Sequence, residues 1–249
     1  MQIRVAFLPQ MVQDVAQAVC VVVDVLRATT VVATLFERGC PCVYVAPSHE
    51  LARTFARRNG YVLCGETDGF KVPDFDYGNS PTEIAAADFT GRPTVLSTTN
   101  GTRAVAAVMD ARCVYLGAAV NRMAVAQAAW QRAQETQSDI MIVCSGTNGQ
   151  FTLEDATVAG MYVEALVAQG GPWNMPEQAD SAIAARRLWE REPNLLRGWM
   201  EGHHARALAE RGFGEDIGYS AETDVLPHVP TLVNEGEVDT VAAPVVLIS

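Results

Sequence analysis

The chain has little positive charge and almost no lysine: Lys71 is the only lysine among 18 basic residues, which face 29 acidic ones. The resulting net charge of −11 at pH 7 argues against a nucleic-acid partner, because phosphate backbones are bound by basic surfaces. The protein as a whole also repels an anionic substrate. Any anion site must therefore be built from local cations, helix ends or a metal ion.

Several common sequence signals are also missing. No apolar run approaches the roughly 20 residues that cross a bilayer, and segment 2–8 is typical of a strand rather than a signal peptide. We therefore expect a cytoplasmic protein with no membrane partner. The six cysteines form neither a Cys-x-x-Cys pair nor a zinc-finger pattern, and most lie in apolar runs. The Walker and Gly-x-Ser-x-Gly motifs are absent, which excludes P-loop and α/β-hydrolase active sites.

Strand-like and helix-like patterns alternate over the first two-thirds of the chain. Strands are predicted at 2–8, 18–24, 42–46, 61–64, 93–97, 113–117 and 139–144. Helices are predicted at 28–38, 47–59, 80–87, 101–110, 120–137 and 153–169. This alternation predicts an α/β fold, a three-layer sandwich around a largely parallel or mixed sheet that is covered on both faces.

The last third of the chain has a different texture. Residues 177–212 are predicted to be helical, and 241–248 resembles a strand in which Pro244 favours an edge position. We expect one domain over residues 1–249, with a core of about 1–170 and a helical region, 171–249, that returns to the sheet.

Three buried runs end in polar turns that lead into helices, and we call these turns the elbows. They comprise residues 24–30, 97–102 and 144–155. Open α/β sheets bind ligands at the carboxyl ends of their strands, and helix N-termini favour anions, so the elbows predict one anion-binding rim. Elbow 97–102 is the strongest candidate for a phosphate cradle, because five of its six residues are Ser, Thr or Asn. The alternative is a capped strand-to-helix turn.

The first elbow begins with a carboxylate. Asp24 ends an apolar run, where it can ligate Mg²⁺ or act as a nucleophile. A phosphoaspartate mechanism lacks its second Asp, because position 26 is leucine. Arg27 can hold a phosphate or carboxylate bidentately. In the alternative interpretation, Asp24 and Arg27 pair with each other and Thr29 or Thr30 caps the next helix.

Further candidates lie in the third elbow and in segment 65–80. Glu154 and Asp155 can hold a metal or act as a base, or they can simply complement the dipole of the following helix. Segment 65–80 has no helical or strand period and is long for a connection, which indicates a functional loop. The four histidines form no triad pattern, so surface or structural roles are expected for them.

Taken together, these motifs resemble the 2-phosphosulfolactate phosphatase family. The matching segments run in order along nearly the whole chain: Asp-Val-Leu-Arg-Ala-Thr-Thr at 24–30, Gly-Glu at 65–66, Asp-Tyr-Gly-Asn-Ser-Pro-x-Glu at 76–83, Thr-Thr-Asn-Gly-Thr at 98–102, Leu-Glu-Asp at 153–155 and Asp-Ile at 216–217. The resemblance implies two interlocked α/β subdomains and a homodimer. It also implies a magnesium-dependent acid phosphatase that converts (R)-2-phospho-3-sulfolactate, or a related phosphorylated hydroxy acid, to 3-sulfolactate and phosphate, a step toward coenzyme M.

The resemblance also implies roles for residues at the matching positions. The expected catalytic residues are Asp24, Arg27, Asn100 and Glu154. The expected Mg²⁺ ligands are Asp24, Glu66, Glu154 and Asp155. The expected substrate-binding residues are Thr29, Thr30, Lys71, Asn79, Thr98, Thr99, Gly101, Thr102, Ser145 and Gly146. The alternatives are a non-catalytic anion-binding or regulatory protein on this scaffold, and a Thr-dependent amidohydrolase. Clustered carboxylates favour catalysis over anion binding alone.

Overall fold

Two β-sheets organise the chain, of which the computed structural model describes residues 1–170, 177–233 and 246–249. The strands are β1 (Gln2–Ala6), β2 (Val19–Val23), β3 (Val43–Val45), β4 (Val62–Thr67), β5 (Phe70–Lys71), β6 (Thr94–Ser97), β7 (Cys113–Gly117), β8 (Ile140–Cys144), β9 (Glu177–Gln178), β10 (Leu232–Val233) and β11 (Val246–Ile248). The helices are α1 (Ala28–Glu37), α2 (His49–Asn59), α3 (Pro81–Ala85), α4 (Gly101–Ala106), α5 (Arg122–Thr136), α6 (Leu153–Gly170), α7 (Asp180–Arg191), α8 (Leu195–Trp199), α9 (His203–Glu210) and α10 (Gly214–Ser220).

The two sheets differ in strand direction. The first has the order β7-β2-β8-β1-β9, and all of its strands are parallel. The second has the order β10-β11-β3-β6-β4-β5, in which β3, β6 and β4 are parallel and the outer pairings are antiparallel. The predicted α/β class is confirmed, and the strands divide between two sheets rather than forming one.

Helices cover both faces of each sheet. In β2 every residue is apolar and buried, because Val21 faces a core shared with α5 and α6 while Val22 faces a core shared with α1 and α4. The second core also takes Leu96 from β6, so α1 and α4 lie between the two sheets. A third, smaller core packs α2 on the outer face of the second sheet. Each sheet is thus the middle of a sandwich, and the two sandwiches share one helical layer.

Most of the predicted elements are present, with some differences in the irregular regions. All seven predicted strands and all six predicted helices occur, with ends that shift by a few residues. Segment 65–80 was expected to be irregular throughout, but β4 continues to Thr67 and pairs with β5 as an antiparallel hairpin. Region 177–212, which the sequence predicts to be helical, holds three helices that follow the short strand β9. No helix in the described ranges is long and apolar enough to cross a membrane.

The C-terminal strand lies inside the second sheet. The described part, Val246–Ile248, pairs with β10 on one side and β3 on the other, so the expected edge position is wrong for these residues. That expectation depended on Pro244, which lies outside the described residues. A backbone hydrogen bond from Leu116 N to Pro230 O, 2.9 Å, connects β7 of the first sheet to the segment that enters β10.

Candidate active site

The three elbows meet at a cavity of about 550 Å³. The first and third elbows follow β2 and β8 of the first sheet, whereas the second follows β6 of the second sheet, so the expected rim of a single sheet is wrong. The cavity wall contains seven of the residues that the sequence indicated: Asp24, Arg27, Glu66, Asn79, Thr98, Thr99 and Asn100. The other expected residues are not among the residues that line it: Thr29, Thr30, Lys71, Gly101, Thr102, Ser145, Gly146, Glu154 and Asp155.

The first elbow is a tight turn that places Asp24 in the cavity wall. Thr29 N and Oγ1 both donate to Asp24 O, at 2.9 and 3.0 Å, and Thr30 Oγ1 donates to Val25 O at 2.8 Å. Both threonines are buried, and their hydroxyl groups stabilise the turn through these bonds. They do not line the cavity, where the sequence placed them for phosphate binding. Asp24 Oδ1 accepts from Ala28 N at 3.3 Å, and burial raises the pKa of this carboxyl to about 6.

Arg27 does not pair with Asp24, which answers one alternative left open by the sequence. Its Nη1 donates to Asp216 at 2.6 Å, its Nη2 donates to Gly69 O at 2.5 Å, and its Cζ lies 4.1 Å from the centroid of the Phe213 ring. The side chains of Arg27 and Asp216 are each only 2% exposed. Two of its five N–H donors are thus already used, and these contacts hold the guanidinium in place at the cavity wall.

Glu66 joins the loop of segment 65–80 to the second elbow. Its Oε1 accepts from Thr99 N and its Oε2 accepts from Gly69 N, both at 2.8 Å. Asn100 extends the connection, because its Oδ1 accepts from Asn148 N of the third elbow at 3.0 Å. The backbone of Thr99 and the side chain of Asn100 are thus held in position along the cavity.

The next two residues of the second elbow support the turn. Thr102 Oγ1 donates to Thr98 O at 3.1 Å. Gly101 opens α4 beside the first elbow, where an added Cβ would lie 3.0 Å from Asp24 Oδ2 and 3.0 Å from the side chain of Ala28. Any larger residue would be tightly packed here, so glycine eases the close approach of the two elbows. Neither Gly101 nor Thr102 is among the residues that line the cavity.

Hydrogen bonds to Asp155 connect the third elbow to the first. Its Oδ1 accepts from Val25 N, and its Oδ2 accepts from Gly146 N and Thr152 Oγ1, all at 3.0 Å. Burial, followed by the negative charges of Asp24 and Glu154, raises the pKa of this carboxyl to about 8. Gly146 contributes its N–H to this connection rather than lining the cavity.

Glu154 and His204 form a pair that the sequence did not indicate. Glu154 Oε1 lies 2.5 Å from His204 Nδ1, and the two side chains are 1% and 19% exposed. Burial alone lowers the pKa of His204, but the hydrogen bond and charge of Glu154 outweigh it, so the pKa lies above its usual value. His204 lines the cavity, so the expected surface or structural role does not describe its position. No local sequence motif indicates this pair, because Glu154 and His204 are 50 residues apart in the chain.

Six buried polar side-chain atoms have no hydrogen-bond partner within the described ranges, and three of them belong to residues that the sequence indicated for the site. These three are Asn79 Oδ1, Ser145 Oγ and Glu154 Oε2. Buried polar groups are normally paired, so an unpaired one in the cavity wall, Asn79 Oδ1, indicates a place for water, a ligand or an ion. Lys71, in contrast, is exposed and donates from Nζ to Phe75 O at 3.0 Å, outside the residues that line the cavity.

The oxygen atoms of the four expected carboxylates differ in how well they suit Mg²⁺. The described residues contain no group of three or more His, Cys, Asp and Glu arranged to hold a metal ion by themselves. Magnesium commonly takes only one or two carboxylates and completes its shell with water and phosphate oxygens. Asp24 Oδ1 accepts from Ala28 N and Glu154 Oε1 faces His204 Nδ1, which leaves the second oxygen of each carboxylate for another partner, so Asp24 and Glu154 fit such a site. Both oxygens of Glu66 and of Asp155 already accept hydrogen bonds, so these two fit it poorly.

Comparison with known proteins gives one consistent family. The model of the family described as 2-phosphosulpholactate phosphatase matches residues 6–235. The chain is 39% identical over 236 residues to a protein of Deinococcus radiodurans named "Probable 2-phosphosulfolactate phosphatase", covering 94% of each chain. A protein of the same name from Pseudothermotoga lettingae is 35% identical over 94% of this chain and 96% of its own. One from Thermus thermophilus is 38% identical over 86% of this chain and 87% of its own.

Proposed function

The chain belongs to the 2-phosphosulfolactate phosphatase family, and on that premise we propose that it is a phosphoric monoester hydrolase. Its proposed substrate is (R)-2-phospho-3-sulfolactate or a related phosphorylated hydroxy acid, which it cleaves to the hydroxy acid and inorganic phosphate. The observation that carries the proposal is the convergence of the three elbows on one cavity that holds the buried carboxylate of Asp24. Phosphoryl transfer depends mainly on positioning and on stabilising developing charge, which such a cavity supplies.

Each group of the wall has a role in the proposed reaction. Thr98, Thr99 and Asn100 surround the phosphoryl oxygens with hydroxyl, amide and backbone donors. His204 holds one ring nitrogen against Glu154, and its Nε2, which has no partner among the described residues, passes a proton to the leaving alkoxide. The Arg27 guanidinium stays paired with Asp216 and keeps the first elbow in position beside the cavity.

We propose Mg²⁺ as the cofactor, held by Asp24 and Glu154. When bound, the ion would neutralise phosphate charge and make a water molecule more acidic, so water is the proposed nucleophile. The ion would also offset the repulsion that the net charge of −11 imposes on an anionic ester. The place of the reaction in coenzyme M formation, the homodimer and the cytoplasmic location belong to the same proposal and stay predictions.

The test is phosphate release from 2-phosphosulfolactate by the wild type and by Asp24→Asn, with MgCl₂ and with EDTA. Removing one group that stabilises transition-state charge typically lowers kcat by about 100- to 1000-fold, and we expect Asp24→Asn to lose at least that much while unfolding at the wild-type urea concentration. Asp110→Asn, an exposed carboxylate outside the cavity wall, is the matched control and should keep full activity. Near-normal kcat in Asp24→Asn would remove Asp24 from the mechanism.

The same assay separates the alternatives. A wild type that binds phosphate tightly but releases none from the ester, with or without Mg²⁺, would be the non-catalytic anion binder. Ammonia release from amides that does not depend on metal would indicate the amidohydrolase. Phosphate release that EDTA leaves unchanged would retain the phosphatase and refute the cofactor.

A further inference from the structure

One face of helix α9 forms a further wall of the cavity, outside the three elbows. His204, Ala207, Leu208 and Arg211 line the cavity, and their spacing of three or four residues places them on the same side of the helix. The first of these is the proposed proton donor. Arg211, at the end of α9, brings a positive charge to the same cavity.

The two arginines of the cavity wall differ in how far their donors are used. Arg27 is committed to Asp216 and Gly69, and its side chain is buried. Arg211 is exposed, and its side chain makes one hydrogen bond, from Nη1 to Asp68 O at 3.0 Å. Within the described ranges no carboxylate lies within 4.0 Å of its guanidinium nitrogens. A guanidinium carries five N–H donors, so most of those on Arg211 remain available to a ligand.

The charges around the cavity indicate which ligand group this arginine suits. The carboxylates of Asp24, Glu66 and Asp68 are part of the wall, and the charge of Arg27 is offset by Asp216. An acid group that the substrate carries in addition to its phosphate is therefore repelled unless a cation meets it. Planar guanidinium donors match carboxylate oxygens and also bind other oxyanions.

We infer that Arg211 binds the carboxylate or sulfonate that the substrate carries besides its phosphate, and that Arg211 thereby selects phosphate esters of acidic alcohols. This inference rests on the proposed function, because it assigns a specificity-determining residue to the same site. It also explains why an arginine is exposed on the wall of a cavity with no carboxylate partner among the described residues. The phosphate itself stays with the elbows.

The test compares Arg211→Gln with a matched control, Arg206→Gln. Arg206 belongs to the same helix, but it is not among the residues that line the cavity. The two substrates are 2-phosphosulfolactate and phenyl phosphate, which has no second acid group. Losing a hydrogen bond to a charged group predicts a rise in KM of roughly 10- to 100-fold for 2-phosphosulfolactate in Arg211→Gln. The KM for phenyl phosphate and the kcat for both esters should change by less than about 2-fold, and Arg206→Gln should match the wild type. An equal rise in KM for both esters, or no rise for either, overturns the inference.

Calorimetric titration with 3-sulfolactate, which contains no phosphate, separates this inference from the proposed function. We expect Arg211→Gln to bind 3-sulfolactate at least about 10-fold more weakly than the wild type and Arg206→Gln. Equal binding by all three proteins overturns the role of Arg211, as does a wild type that does not bind 3-sulfolactate. If the wild type hydrolyses neither ester, the proposed function fails, and the titration still decides for or against Arg211.

Discussion

Removing the Asp216 carboxylate should destabilise the protein strongly, because it leaves a guanidinium charge without its partner. Asp216 Oδ2 accepts from Arg27 at 2.6 Å, while Oδ1 accepts from Ser80 Oγ at 2.7 Å and Thr82 Oγ1 at 2.5 Å. These contacts connect α10 to the first elbow and to the start of α3. In Asp216→Ala, Arg27 keeps Gly69 O and the Phe213 ring but no counter-ion within the described residues.

Asp216→Ala is expected to lose a large part of the free energy of unfolding and still to fold. Breaking a buried ion pair by removing one partner costs about 3–5 kcal/mol, compared with a total unfolding free energy of about 5–15 kcal/mol. With a urea m-value of about 3 kcal/mol per M, the unfolding midpoint of Asp216→Ala should fall by roughly 1–2 M. The four tryptophans provide a fluorescence signal for this measurement.

Three further variants are needed to interpret this loss. Asp74→Ala breaks a pair with Arg53 whose side chains are 32% and 43% exposed, so it should lower the unfolding midpoint far less than Asp216→Ala does. The double variant Arg27→Met/Asp216→Ala removes both buried charges and should regain part of the loss in a double-mutant cycle that the single variant Arg27→Met completes. The reasoning is refuted if Asp216→Ala costs no more than Asp74→Ala, or if the two changes at the buried pair simply add.

Two remaining predictions concern the third elbow. Gly146→Ala should lower the urea midpoint more than Gly149→Ala does. Both glycines have a positive φ, so the backbone strain of the two substitutions is similar. An added Cβ at Gly146 would lie 2.4 Å from Gln150 O, whereas an added Cβ at Gly149 would meet nothing within 4 Å. Equal losses would contradict this steric account. Asp155 has a folded pKa raised to about 8, so its stabilising contribution is complete below about pH 4 and is lost as pH rises through about 8. The free energy of unfolding should therefore fall between about pH 4 and 8, by at most about 1.4 kcal/mol per pH unit from this group. The Asp155→Asn variant should flatten that dependence, and an unchanged slope would exclude Asp155 as its source.

The elements of the fold were predictable because their signals are local. The five-residue run of β2 is apolar throughout, and Ser48 and Gly60 bound α2, where Ser48 Oγ accepts from Leu51 N at 3.3 Å and Gly60 has φ +69°. The division into two sheets was not predictable in this way. Strand pairing joins residues far apart in sequence, and nothing within β6 indicates that it pairs with β3 and β4 rather than with β2.

The site was predictable only where the side chains lie in the elbows or their loop. Asp24, Glu66 and the residues 98–100 line the cavity as the motifs indicated. His204 and Arg211 were missed because α9 has the composition of an ordinary surface helix, and its cavity face becomes visible only when α9 packs against distant elements. The family resemblance implies a substrate-binding role for Thr29 and Thr30, but their hydroxyls donate to backbone carbonyls of the turn.

The helical layer shared by the two sandwiches sets the width of the cavity. Asp24 follows a strand of the first sheet and Thr98 to Asn100 follow a strand of the second, so their separation depends on the core that contains Val22 and Leu96. Protein cores are close-packed and respond to the loss of even one methylene. A conservative substitution in that core can thus move the two halves of the site relative to each other without altering any residue that touches the substrate. The buried layer acts as a spacer, and repacking it offers a route to change which esters fit.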